Sequence, residues 1–236
     1  MHTEEVSSRT AEPPAGFTLL VVSTANVCRS PLAERIGTAY LAEVLGAGAD
    51  STFRIVSAGT EAVAGHEMSP ESALVLNGLG GDPAKFWAGK VNADLASSTD
   101  LTLTMTRQEQ EEVLAVAPRS LARTFTLLEA VDLLGMIDPD EDSDGAAEPE
   151  RARRVVRSMA AARTRRRSSP EDDIPDPLGR PLKVHQEVGE VIADAMLLVL
   201  GRLIGAGAEA HSETTRAAHA DRAARDGWLH RAVSRR

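Results

Sequence analysis

The sequence has little cysteine and few aromatic residues. Its 236 residues include one cysteine, and aromatic side chains make up 3% of the total. A single cysteine excludes an internal disulfide and any metal site that needs several thiolates. Because aromatic residues are so few, the hydrophobic core must consist mainly of Val, Leu, Ile and Ala side chains.

Long apolar runs and an excess of positive charge are absent as well. No apolar stretch has the length of a membrane span, and residues 1–10 lack the apolar segment of a signal peptide. The formal net charge of −9 argues against non-specific nucleic-acid binding. His and acidic residues are not clustered at metal-ligand spacing. We therefore expect a cytoplasmic protein with no membrane insertion, no nucleic-acid partner, no metal and no cofactor.

Composition divides the chain into one domain and two extensions. Residues 1–15 are polar and contain proline, and residues 205–236 are rich in Ala, Arg and Gly. Such compositions predict a disordered N-terminal extension and a flexible C-terminal tail. The intervening residues 16–204 are numerous enough to form a domain with a substantial core.

Residues 138–173 form a charged insertion within this domain. Seven acidic residues and no basic one lie in 138–150, and eight arginines and no acidic residue lie in 151–167. Two interpretations are open. The insertion is either a solvated segment whose charge blocks attract each other, or a functional surface. Such a surface would be a docking site for an acidic partner or an inhibitory flap.

Short apolar runs alternate with helical patterns from Phe17 onward. Hydrophobic residues recur at helical spacing between four strand candidates, and again over residues 184–203. The strand candidates are residues 17–23, 52–58, 100–105 and 122–127. Alternating strands and helices predict an α/β fold in which helices cover both faces of a parallel sheet. Ligands of such sheets bind beyond the carboxyl ends of the strands, where residues 23–30 would lie.

Residues 17–34, FTLLVVSTANVCRSPLAE, combine features that favour anion binding. An apolar strand leads into a short polar loop, and an amphipathic helix begins where the loop ends. The N–H groups of such a loop and the positive end of the helix dipole attract anions. The guanidinium of Arg29 fits two oxygens of a phosphate. The segment therefore predicts a phosphate site.

This loop resembles the C-x5-R-S phosphate loop of the bacterial low-molecular-weight protein tyrosine phosphatases. The matching residues are Asn26, Val27, Cys28, Arg29, Ser30, Pro31, Ala33 and Glu34, followed downstream by Val56–Thr60, Leu103–Met105 and Ile174–Pro177. The resemblance covers about residues 17–135 and 170–204. It implies the family's four-stranded parallel sheet, flanked by helices on both faces. It also implies a phosphorylated protein, or a small phosphate ester or oxyanion, as the binding partner.

The resemblance gives individual residues expected roles. Arg29 should bind two phosphoryl oxygens and stabilise the transition state, and Ser30 should hydrogen-bond the nucleophile. Asn26 should hold the shape of the loop with Ser57 as its partner, and Asp176 should be the general acid. The phosphate would be surrounded by Thr24, Ala25, Asn26, Val27, Cys28, Arg29 and Ser30.

Ser23 occupies the position of the family's nucleophilic cysteine. A serine hydroxyl does not ionise as a thiol does in the same field, and it normally requires an adjacent base. His66 is far along the chain, and we expect His185 to have a surface or capping role. Cys28 cannot head such a loop because Glu34, and not an arginine, stands six residues after it. We therefore expect a small buried thiol at Cys28 and strongly reduced hydrolysis.

Alternative functions are open at this point. The first is a family member whose hydrolysis is strongly reduced by Ser23, and the second is a pseudophosphatase that binds a phosphoprotein or oxyanion without hydrolysing it. An arsenate-reductase-like activity is a weaker alternative because that chemistry needs several thiols. A serine in place of a nucleophilic cysteine is also the form of an engineered trapping substitution.

The residues expected to face the substrate depart from the family pattern. Residues 178–182 carry no aromatic side chain, and neither Thr106 nor Arg107, the residues directly after Met105, is acidic. Phe86 and Trp87 are candidates for an aromatic wall, although we expect both in the core. These departures argue against a specific preference for phosphotyrosine and leave phosphate binding untouched. Nothing in the sequence specifies an oligomeric state.

Overall fold

A computed structural model describes residues 16–46, 48–138 and 148–205. Its strands form a four-stranded parallel sheet in the order β2-β1-β3-β4. The strands are β1 (Phe17–Ser23), β2 (Phe53–Gly59), β3 (Leu101–Thr104) and β4 (Thr124–Thr126). Each lies within a residue or two of a predicted strand. The predicted extension 1–15 and residues 206–236 of the predicted tail lie outside the described residues.

Helices connect the strands and cover the sheet. Their bounds are α1 (Arg29–Leu45), α2 (Ala49–Thr52), α3 (Pro70–Gly78), α4 (Ala93–Ser98), α5 (Arg107–Val116), α6 (Leu127–Gly135), α7 (Glu148–Ala162) and α8 (Leu182–Ile204). Helices α5 and α6 both begin with a capping box, in which Thr106 pairs with Glu109 and Thr126 with Glu129. None of the helices in the described ranges combines the length and hydrophobicity that a membrane span requires.

Strand β1 lies in the middle of the sheet and contributes to both hydrophobic layers. Leu19 and Val21 face the large core, which also includes residues of α1, α6, α7 and α8. Leu20 and Val22 face a smaller cluster with residues of α4 and α5. This alternation is the two-residue period of a strand buried on both sides. The predicted parallel sheet with helices on both faces is therefore confirmed.

The strand order places the end of β1 at a topological switch point. Strand β1 pairs with β2 on one side and with β3 on the other, so Ser23 lies beside Gly59 and Val22 beside Thr104. Connections leave such a point in opposite directions and open a crevice at the carboxyl ends of the strands. The loop that follows Ser23 begins in this crevice.

Helix α7 corrects the interpretation of residues 138–173 as a solvated insertion. Ala152, Val155 and Met159 on α7 are buried in the large core. Arg153 pairs with Asp100 at 2.8 Å, outside the insertion. The apolar residues 152, 155, 156 and 159 have the helical spacing of a buried face, which the count of arginines obscured. Residues 148–162 thus form an amphipathic core helix, and Arg153, Arg163 and Arg166 pair with carboxylates elsewhere in the domain. Residues 139–147 of the predicted insertion lie outside the described residues.

Candidate functional site

The side chain of Asn26 fixes the shape of the 23–30 loop. Its backbone has a φ of 54°, in the left-handed region that Asn tolerates better than most residues. Its Nδ2 donates to the hydroxyls of Ser30 and Ser57, each at 2.9 Å. Its Oδ1 accepts the N–H of Gly89 at 2.9 Å. Ser57 therefore stands where the sequence placed the partner of Asn26.

The end of strand β2 supports the loop from behind. The carbonyls of Ser23 and Thr24 accept the N–H groups of Thr60 and Glu61 at 3.0 and 2.9 Å. A Cβ on Gly59 would meet the carbonyl oxygen of Thr24 at 2.5 Å. The S-A-G-T turn thus requires glycine at this point because the loop backbone passes directly against it.

The hydroxyl of Ser23 is buried and contacts a second hydroxyl. Ser23 is 2% exposed, and its Oγ lies 2.7 Å from Oγ of Ser30. Ser30 also accepts the Asn26 hydrogen bond and points towards the carbonyl of Ala58 at 3.4 Å. Among the described residues, no histidine or carboxylate hydrogen-bonds Ser23. The hydroxyl is oriented, but no general base contacts it.

The guanidinium of Arg29 is buried against the loop, and its Nε–H makes no hydrogen bond to the described residues. The residue is 3% exposed, and its Nη1 donates to the carbonyl of Ile174 at 3.0 Å. Its Nη2 contacts Oγ1 of Thr24 at 3.2 Å and the carboxylate of Asp176 at 2.9 Å. Nε is buried and has no hydrogen-bond partner in the part of the chain that the structure describes. A buried N–H of this kind is available to an oxygen of a ligand.

Glu109 is a site residue that the sequence analysis missed. It is 2% exposed, and its Oε1 lies 3.1 Å from Nη2 of Arg29. The same oxygen accepts the Thr24 hydroxyl at 2.8 Å, and Oε2 accepts the N–H groups of Met105 and Thr106 at 3.0 and 2.9 Å. Burial raises the pKa of Glu109, although Arg29 and these hydrogen bonds oppose the change. The signal available in the sequence was the T-x-x-E capping box directly after β3.

Asp176 lies on the loop that leads into α8 and faces the phosphate loop. Its Oδ2 contacts Nη2 of Arg29 at 2.9 Å, and its Oδ1 accepts the N–H of Leu178 at 3.1 Å. The carboxylate side chain is 40% exposed. The structure thus brings Ser23, Arg29 and Asp176 together. The small depression between them is lined by Ser23, Ala25, Asn26, Val27, Cys28, Arg29, Asp176 and Leu178.

The side chains of Cys28 and His185 are buried against hydroxyl groups at the start of α3. The Cys28 thiol is 4% exposed and lies 3.3 Å from Oγ of Ser69, and burial raises its pKa. This is the small buried thiol that the sequence predicts. The expectation of a surface or capping role for His185 is wrong, because the residue is 2% exposed and its Nδ1 lies 2.9 Å from Oγ of Ser72. Its position on the apolar face of α8 explains the burial.

The two aromatic candidates have different surroundings. Phe86 is 6% exposed, as expected of a core residue, and the guanidinium of Arg35 lies 5.8 Å from the centre of its ring. The expectation that Trp87 lies in the core is wrong, because it is 60% exposed. Ala88 pairs through its backbone with Gly65 and His66, so neighbouring side chains of this extended segment alternate between core and solvent.

Two carboxylates before Asp176 are held by arginines. Asp173 accepts the backbone N–H and the Nη2 of Arg107, each at 2.8 Å. Asp172 pairs with Arg166. The hydrogen bonds from Arg107 lower the pKa of Asp173, and those from Arg166 lower the pKa of Asp172 although burial opposes the change. Neither carboxylate is available to act as an acid at the phosphate loop.

These lowered pKa values predict a loss of stability in acid. An acid whose pKa is lower in the folded state contributes stability above its unfolded pKa, and this contribution disappears as the pH falls through the folded pKa. Asp173→Asn should therefore lower the free energy of unfolding at pH 7, and the difference from the parent should vanish between about pH 4 and pH 2. Urea unfolding at both ends of this range measures it, and a difference that stays constant would contradict it.

Comparisons with known proteins agree with this geometry. A family model described as low molecular weight phosphotyrosine protein phosphatase matches residues 18–148. The low molecular weight protein-tyrosine-phosphatase Ptp of Acinetobacter johnsonii is 29% identical over 109 residues, which are 46% of this chain and 70% of that protein.

Solved structures share the fold. The tyrosine phosphatase AmsI of Erwinia amylovora aligns with a TM-score of 0.54 and 21% identity, covering 78% of this chain and 91% of that one. A cysteine-to-serine mutant of the arginine phosphatase YwlE, with a phosphorylated active site serine, aligns with a TM-score of 0.56 and 20% identity over 79% of this chain and 95% of that one. Because the family model matches more than half of the sequence, the chain belongs to the low molecular weight phosphotyrosine protein phosphatase family.

Proposed function

We propose that this family member acts in the cytoplasm and binds the phosphate group of a phosphorylated protein or a small phosphate ester in the 23–30 loop. We propose further that Ser23 makes hydrolysis of the bound ester very slow. The observation that carries the proposal is the buried guanidinium of Arg29, whose Nε–H has no hydrogen-bond partner among the described residues. Helix α1 begins at the same residue and adds its positive end to the site.

The contacts around Ser23 support the proposal that hydrolysis is slow. In the first step of hydrolysis, Oγ of Ser23 would form a bond to phosphorus while the bond from phosphorus to the leaving oxygen breaks. In the second step, water would attack phosphorus and the bond to Oγ would break, which releases phosphate. Asp176 would protonate the leaving oxygen of the ester, and Arg29 would stabilise the charge on the phosphoryl group. The Ser23 proton needs an acceptor, yet the hydroxyl contacts another hydroxyl at 2.7 Å. Attack by an un-ionised hydroxyl is much weaker than attack by the thiolate that a cysteine would provide.

A pseudophosphatase without any turnover is the second candidate. The lack of a base beside Ser23 within the described ranges favours it, because phosphate binding would depend on Arg29 and the loop amides and not on the nucleophile. The two candidates differ only in whether the phosphoryl group ever leaves its ester. An arsenate-reductase-like activity stays the weaker alternative, since the sequence has a single cysteine and its thiol is buried.

Oxyanion binding tests the proposal directly. We expect the protein to bind vanadate or inorganic phosphate, and Arg29→Lys to weaken that binding about a hundredfold. Lysine keeps the positive charge, but it loses the planar fork that contacts two oxygens. Isothermal titration calorimetry measures both affinities.

Arg54→Met is the control for an effect of the net charge on this measurement. Arg54 is exposed on β2 and pairs in register with Thr18, near the opposite end of the sheet from the loop. Its replacement removes one positive charge from the protein but none from the site, so the affinity should stay within about twofold of the parent. Equal losses in Arg29→Lys and Arg54→Met would contradict a phosphate site at Arg29.

A further inference from the structure

The loop that carries Asp176 begins with three consecutive anchored residues. These are Asp172, Asp173 and Ile174, and each is bound to a different part of the domain. Asp176 follows only two residues after the last of them, a distance of at most about 7 Å along the chain. The anchors therefore determine where its carboxylate can lie.

Arg166 provides the first anchor. Its guanidinium bridges the carboxylate of Asp132 on α6, at 2.7 Å, and the carboxylate of Asp172. Asp172 is 2% exposed, and its Oδ2 also accepts the N–H of Ser169 at 2.9 Å. The start of the loop is thereby tied to helix α6 through a pair of charge-assisted contacts.

Arg107 provides the second anchor and the end of β3 the third. Asp173 accepts the backbone N–H of Arg107 at the first residue of α5, as well as its guanidinium, so it also lies at the positive end of that helix. Ile174 is 1% exposed, and its N–H donates to the carbonyl of Met105 at 2.8 Å. Its own carbonyl accepts Nη1 of Arg29 at 3.0 Å.

We propose that Arg166 and Arg107 are positioning residues for the general acid, which together hold the start of the Asp176 loop against the phosphate site. This inference rests on the proposed role of Asp176. Arg166 follows helix α7, which begins where the match to the family model ends at residue 148. The same segment is fixed by Arg163, which lies 4.1 Å from the ring centre of Phe125 and 2.8 Å from Glu129. The charged insertion thus supplies Arg166, which holds the start of the Asp176 loop.

Leaving-group dependence in a Ser23→Cys background tests this role. General acid catalysis matters most for a poor leaving group, so Arg166→Met should lower kcat/KM for phenyl phosphate about tenfold. For p-nitrophenyl phosphate, whose leaving group needs little protonation, kcat/KM should change by about twofold or less. Once Asp176→Ala is present, adding Arg166→Met should have no further effect on kcat/KM, because the two residues act in one unit.

Two matched variants separate positioning from a general loss of stability. Arg153→Met removes an arginine of the same segment whose partner is Asp100 at the far end of β3, and it should leave the ratio of the two substrates unchanged. Arg166→Lys keeps the charge and should restore part of the phenyl phosphate activity. An equal loss for both substrates in Arg166→Met, or an effect that adds to that of Asp176→Ala, would overturn the proposal.

Hydrogen exchange gives a second readout on the chain with Ser23 in place. The hydrogen-bonded amides of Asp172, Asp173 and Ile174 should exchange at least about tenfold faster in Arg166→Met, while those of residues 23–30 keep the parent rate. Unchanged exchange of these three amides would show that Arg166 does not hold the loop. If Ser23→Cys proves inactive, the proposal that Ser23 limits hydrolysis fails, and the exchange measurement still decides whether Arg166 holds the loop.

Discussion

Replacing Ser23 with cysteine should raise kcat for an aryl phosphate by about 10³-fold or more, because nucleophiles of preorganised hydrolases contribute effects of this size. The cysteine would lie at the N-terminus of α1 and beside Arg29, an environment that lowers a thiol pKa and favours the thiolate. Serine in the same field stays protonated, and it leaves a phosphoryl group as a poor alkoxide. Steady-state kinetics of the Ser23 and Ser23→Cys proteins measure the difference.

Two controls make the outcome decisive. Asp176→Ala in the Ser23→Cys background should lower kcat by about 10²-fold or more, as expected for loss of a general acid. Intact-mass measurement of the Ser23 protein after incubation with the ester shows which of the two steps is slow, attack on phosphorus or breakdown of the phosphoserine. Gain of one phosphoryl group indicates slow breakdown of a phosphoserine, and no gain indicates that attack itself fails. Rapid turnover by the Ser23 protein that Arg29→Lys leaves unchanged would rule out the proposed phosphate binding and slow hydrolysis in the 23–30 loop.

Replacing Glu109 with alanine should destabilise the fold by about 3–5 kcal/mol, the usual effect of removing one partner of a buried ion pair. The substitution leaves the buried Arg29 guanidinium without its buried counter-charge. It also leaves the N–H groups of Met105 and Thr106 and the Thr24 hydroxyl without their acceptor. Urea unfolding of the two proteins gives the difference in free energy.

The same helix offers a matched control for this measurement. Glu111→Ala removes an exposed carboxylate from α5 and should change the free energy of unfolding by less than about 0.5 kcal/mol. Arg29→Leu combined with Glu109→Leu should cost less than the sum of the single changes, since both charges then disappear together. Strict additivity would show that the two side chains are independent, contrary to the 3.1 Å contact.

Features encoded in contiguous residues could be predicted from the sequence. The strands have apolar runs of their own, and the 23–30 loop combines a strand, a polar turn and a helix start within one short stretch. The Asn26–Ser57 contact followed from the resemblance, and the 2.9 Å distance agrees with it. Asp176 could be named because proline follows it, and the structure places its carboxylate at Arg29.

Features that depend on long-range packing could not be predicted in this way. From the sequence, Glu109 looks like an ordinary capping residue. It contacts Arg29 because β1 and β3 are neighbours in the sheet and their carboxyl ends lie side by side. Residues 151–167, which include most of helix α7, resemble a basic run because their eight arginines outweigh a short apolar stripe. His185 reads as a polar residue at a helix start, yet α3 packs over it and supplies the hydroxyl of Ser72. In each case the tertiary contact, not the local pattern, determines the environment.

The contact between Asp176 and Arg29 makes oxyanion binding an exchange of one anionic partner for another. The competing carboxylate belongs to the same chain, so its effective concentration does not fall on dilution. An oxyanion that contacted both Nε and Nη2 of Arg29 would therefore have to displace Asp176 from Nη2. In the proposed phosphate site, the loop that carries the proposed general acid thus also carries a competitor for the bound oxyanion.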